Sequence, residues 1–187
     1  MKRLFELFDY QPLNVGNDKL NDRLIPYYFK PQEAAGSYLL YNNRCLRAQD
    51  ASTMDDPFRA KQYLDTPLAS AYIKAGYDKI MSDAVDPFAN LLLKDLETDS
   101  QEGWLHLMKY DSYSTRSYLA HVYRPSADFL KKNPGFPDQS LPSDVINWME
   151  TRNTSSGSYD KAFSESVLDA IAFGKVGPQP VDWKCLE

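Results

Sequence analysis

The sequence predicts a mainly α-helical (α+β) fold with one small β-hairpin. Apolar residues recur at helical spacing through most of 68–173, whereas only one pair of short apolar runs flanks a tight-turn dipeptide, Asn42-Asn43. The eight glycines (16, 36, 76, 103, 135, 157, 174 and 177) contain no G-x-G. A strand followed by closely spaced glycines is what lets backbone N–H groups approach a dinucleotide pyrophosphate, so no Rossmann half is expected here.

The elements follow in order. Leu4, Phe5, Leu7 and Phe8 form a helical stripe that Pro12 ends, and Lys2 and Arg3 lead it with no capping residue ahead of them, as if the helix began further upstream. Ser37 to Tyr41 and Arg44 to Arg47 flank Asn42-Asn43, whose tolerance of positive φ suits a hairpin turn. Asp55-Asp56-Pro57-Phe58 is a turn. Ala71, Tyr72, Ala75 and Ile80 predict a helix over 68–84, which Asp86-Pro87 breaks. Pro87 then opens a second helix with Phe88, Leu91, Leu92 and Leu96 on one face. Trp104 to Met108 is a third, and Ser114 caps a fourth bearing Tyr118, Leu119 and Val122. The four prolines between Pro125 and Pro142 predict a loop. Ser143 caps a helix with Val145, Ile146, Trp148 and Met149. Asn153 to Ser158 is a polar turn. Tyr159 to Phe173 is the last helix, with Phe163, Val167, Leu168 and Ile171 inward and Gly174 as its stop.

Composition narrows the function. Hydrophobic residues at 43% and charged residues at 25% of 187 suit an ordered globular chain. The formal charge of −5 disfavours a nucleic-acid partner. No apolar run reaches the roughly 18–20 residues of a membrane span, and Glu6 and Asp9 interrupt any signal core, so a cytoplasmic location is expected. Cys45 and Cys185 are far apart and predict structural thiols rather than a disulfide framework. His106 and His121 are too few for a His-rich metal site and are expected to be structural.

The motif-like segments are Tyr110-Asp-Ser-Tyr-Ser-Thr-Arg-Ser-Tyr-Leu119 and Ser156-Gly-Ser-Tyr-Asp-Lys-Ala-Phe-Ser-Glu-Ser166, preceded by Gly103-Trp-Leu-His-Leu-Met-Lys-Tyr-Asp111. Read alone, they supply caps and half-buried aromatics. Their order resembles the helical substrate domain of FAD-dependent L-amino-acid oxidases in the flavin monoamine oxidase superfamily, with a longer Pro-rich insertion between the two main elements. The likeness is best over 103–173 and weaker over 1–65. It implies residues 1–65 as the start of a substrate domain with the hairpin, 66–175 as its helical body and 176–187 as a linker back to a FAD-binding portion that this chain lacks. The family arginine that holds the substrate carboxylate would lie ahead of Met1.

The resemblance implies an enzyme that passes hydride from an L-amino acid to FAD, with release of a 2-oxo acid, ammonia and hydrogen peroxide. This chain would supply substrate-domain walls and oligomer-interface surface. It offers no catalytic residue of its own, and no cofactor is expected on the chain alone. The alternative is a non-catalytic helical interaction module, or a degenerate gene product, of oxidase ancestry. Where venom-type members carry a mobile histidine four residues after the motif glutamate, this chain has Asp169 after Glu165. The pair either borders the substrate cavity, favouring cationic side chains, or forms a solvated acidic helix face. Arg116 is expected to serve a surface salt bridge.

Overall fold

The computed structural model describes residues 6–14, 16, 19–26, 37–153, 157–173 and 184–186. The chain divides into two compact units, Met1–Ser37 with Pro180–Glu187, and Tyr38–Gln179; the second is thus inserted within the first. In the first unit residues 6–8 are helical, and Gln11–Leu13 form a 3₁₀ turn around Pro12. Asn14 staples this segment, donating to the carbonyls of Phe8 (2.9 Å) and Tyr10 (2.8 Å) and accepting from the Leu20 amide (2.9 Å). Strand β1 (Leu24–Pro26) pairs antiparallel with β4 (Lys184–Leu186), Ile25 facing Cys185. The expected helix start at Met1 to Phe5, the stop at Gly174 and the third tryptophan, Trp183, lie outside the described residues.

The inserted unit opens with the expected hairpin. Strands β2 (Tyr38–Tyr41) and β3 (Arg44–Arg47) pair with Leu39 opposite Leu46. Asn42 and Asn43 both take positive φ, 50° and 56°, as a two-residue turn matching the strand twist requires. A short helix α1 (Ala48–Ser52) follows, then the expected turn at 55–58 and a 3₁₀ turn at Ala60–Tyr63, whose first amides are held by Asp56.

Helix α2 (Ala69–Ala75) stops at Gly76, and α3 (Tyr77–Thr98) runs on unbroken through Pro87. The expected break at Asp86-Pro87 is therefore corrected, and it lies instead at Gly76, whose φ of 89° only glycine adopts readily. An interior proline costs a helix about 3 kcal/mol. That penalty is outweighed because Ile80, Ala84, Val85, Phe88, Ala89 and Leu92 form one buried stripe on both sides of it, and burial of each large member contributes roughly 1.5–3 kcal/mol.

Helix α4 (Glu102–Met108) turns back on α3, and α5 (Thr115–His121) starts at Ser114, whose hydroxyl accepts the Ser117 amide at 3.1 Å. The Pro125–Pro142 segment is not wholly loop. It contains α6 (Ala127–Lys132), capped by Ser126, which Asp83 in turn fixes by accepting from the Ser126 amide and hydroxyl. Helix α7 spans Ser143–Asn153. The last helix is shorter than expected. Residues Ser158–Asp160 form a 3₁₀ turn and α8 covers Phe163–Ala172, because the intervening Lys161 and Ala162 are extended and bridge to Ser114. Leu168 faces outward rather than inward, since the buried side of α8 follows Phe163, Val167 and Ala170. Helix α3 is the axis of the unit, packing against α2, α4, α7 and α8. Among the described residues no helix is long and apolar enough to cross a membrane.

The α3–α4 turn leaves no room for a side chain at Gly103, where an added Cβ would meet the Leu91 backbone at 2.7 Å. Gly103→Ala should therefore lower the unfolding free energy by about 1–3 kcal/mol, the usual range for overpacking, in a urea titration. The Asp95 carboxylate closes the same turn, accepting the Trp104 amide at 2.8 Å. Desolvation acts to raise its pKa, but the amides of Gly103, Trp104 and Glu102 and the Ser100 hydroxyl hold it below the ordinary value. A lowered carboxylate stabilises the fold above its unfolded-state pKa and ceases to as pH falls through the folded one. Asp95→Ala should accordingly reduce the thermal midpoint at neutral pH and converge with the parent in acid.

Candidate functional site

The two motif-like segments, some forty residues apart in sequence, meet in space. The Thr115 amide donates to the Lys161 carbonyl and the Phe163 amide to the Tyr113 carbonyl, each at 2.9 Å, forming a minimal antiparallel bridge between the start of α5 and the start of α8. Above it Tyr118 stacks on Phe163 with centroids 3.7 Å apart and planes within 11°. Phe88 of α3 meets both rings edge-on, at 6.0 and 5.2 Å. Thr115 and Ser166 share a hydroxyl hydrogen bond of 2.7 Å, and the Ser164 hydroxyl donates to Asp111.

Arg116 locks this seam to α7. Its guanidinium donates to Glu150 (2.5 Å), Asn147 (2.5 Å) and Asp160 (3.1 Å). Glu150 is only 5% exposed, and its second oxygen accepts the Tyr159 amide at 2.7 Å. Arg116 is thus a salt-bridge partner, as expected, but its main counter-charge is buried. Glu150 was not singled out from sequence, although it sits one helical turn after Ile146, on the stripe that predicts burial.

Burial sets the tyrosine chemistry of the seam. Desolvation pushes the Tyr118 phenol up to about 12, with the charges of Tyr110 and Asp83 adding to it. Desolvation likewise pushes Tyr159 up to about 12, against the opposing Asn153 hydrogen bond. Neither hydroxyl is poised for proton transfer near neutrality.

Glu165 and Asp169 lie on the exposed side of α8, one turn apart, beside Leu168 and Phe173, which are also exposed. Lys161 stands 3.9 Å from Glu165. The expected histidine roles divide. His106 is half-buried and stacks on Phe88 at 5.3 Å, whereas His121 is exposed in the last turn of α5. Cys45 is exposed on the outer side of the hairpin, not a small core residue as expected, because it alternates with the inward Arg44 and Leu46. The side chain of Cys185 lies outside the described residues. No group of three or more potential metal ligands occurs among the described residues.

A cleft of about 700 Å³ opens elsewhere in the inserted unit, between the hairpin turn, residues 52–64, the α2–α3 junction and α7. Within it Arg152 is surrounded by the rings of Tyr41, Phe58 and Tyr77 at 4.6, 4.9 and 5.4 Å. Four separate segments build it, which is why no local signal in the sequence marks it.

No model of a protein family matches the chain. It is 41% identical over 149 residues to cytotoxic L-amino-acid oxidase of Amanita phalloides, covering 80% of this chain and 98% of that protein. The chain belongs to the L-amino-acid oxidase family. It is also 40% identical over 187 residues to L-amino-acid oxidase 4 of Hebeloma cylindrosporum. That match takes in all of this chain but 27% of the Hebeloma protein, so the L-amino-acid oxidase segment in hand spans about a quarter of that relative's length.

Two outcomes test the seam of this L-amino-acid oxidase segment. Arg116→Ala, which strands the buried Glu150, should destabilise by roughly 2–3 kcal/mol, between the exposed and buried limits for ion pairs, and Arg116→Lys by less. Because Tyr118 and Tyr159 ionise later in the fold than their ordinary value of 10.0, their stabilisation is complete below that pH and is lost as pH climbs through about 12. The thermal midpoint should fall across that window, with a shallower fall in Tyr118→Phe.

Proposed function

We propose that this chain forms the helical substrate-domain part of a flavin-dependent L-amino-acid oxidase, one that converts an L-amino acid to a 2-oxo acid, ammonia and hydrogen peroxide. The observation that carries this reading is identity along the whole chain to an oxidase about four times as long. The topology supports it: the compact unit 38–179 is inserted between two segments whose strands β1 and β4 pair, so the backbone leaves and returns side by side.

FAD belongs to the complete enzyme on this reading and is held by a portion outside this chain. A pyrophosphate needs an uncluttered helix N-terminus after a glycine turn. The longest helix, α3, does open at a glycine, but Gly76 follows a helix, and the Asp78 carboxylate closes over it, 2.8 Å from where a Cβ would stand. An anion at that position repels a phosphate. The start of α3 is thus a poor seat for a pyrophosphate, and on this reading the purified chain should take up no FAD. A stoichiometric flavin band at roughly 450 nm, where the free cofactor absorbs, would refute this.

On this reading the oligomer contacts fall at the far end of α3 and on α4, where Leu96 (79%), Trp104 (42%) and Leu105 (61%) are each exposed. The isolated chain should self-associate in sedimentation, and a clean monomer at tens of micromolar, on the order of ordinary working concentrations, would count against this.

Glu165 and Asp169 border the substrate cavity, with Asp169 drawing cationic side chains. In the full-length enzyme, Asp169→Asn should lower the lysine-over-leucine ratio of kcat/KM by roughly tenfold to a hundredfold, the worth of a shielded charged contact, and leave leucine turnover nearly unchanged. Equal ratios in the two proteins would remove Asp169 from the site.

A further inference from the structure

We draw no further inference here: the strongest candidate, the outer face of the β2–β3 hairpin, where Tyr38, Leu40 and Cys45 are all exposed, is an unpartnered apolar face, and nothing in the structure shows what covers it.

Discussion

The buried carboxylate of Glu150 is the constraint on which the inserted unit depends. It lies on α7, facing the core, and a charge there is tolerated only because both oxygens are engaged, one by Arg116 and the other by the Tyr159 amide. Those two partners come from the two segments that the seam joins. Satisfying Glu150 therefore fixes α5 and the turn before α8 onto the same helix, and the Tyr118–Phe163 stack then closes the gap between them. Phe88 reaches the stack from α3, so the longest helix is tied to the same point.

This arrangement gives the recurring Tyr, Ser, Thr and Glu residues of the two segments a physical meaning that differs from a catalytic one. Thr115, Ser164 and Ser166 spend their hydroxyls on each other or on Asp111, and the buried phenols of Tyr118 and Tyr159 are held neutral. The seam acts as a frame that holds α5, α7 and α8 together.

Most of the helical elements were legible in the sequence, and the exceptions are instructive. Ser114 capped its helix as expected and Asn42-Asn43 made the hairpin turn, because both act through atoms within a few residues. Pro87 did not break α3, since a buried stripe running across it outweighs a local penalty. Helix α6 escaped notice among four prolines, though Ser126 was its cap in plain view, and its support from Asp83 comes from a distant turn of α3. The late start of α8 followed from pairing of Ala162 with Ser114, a tertiary contact that holds two residues extended where their own pattern favoured helix.

The sequence by itself determined the class of fold, the hairpin, the order of the helices and the family likeness, because periodicity, caps and turn residues work over short separations. Only the tertiary structure decided that Arg116 answers a buried Glu150, that Arg152 rests among three rings, and that Asp144 borders one cleft with Asp55, Asp56 and Asp78. Each of these joins residues from separate elements. The energy of a charge depends on how much water remains around it and on which partners stand within a few ångströms, and both are set only when the helices pack.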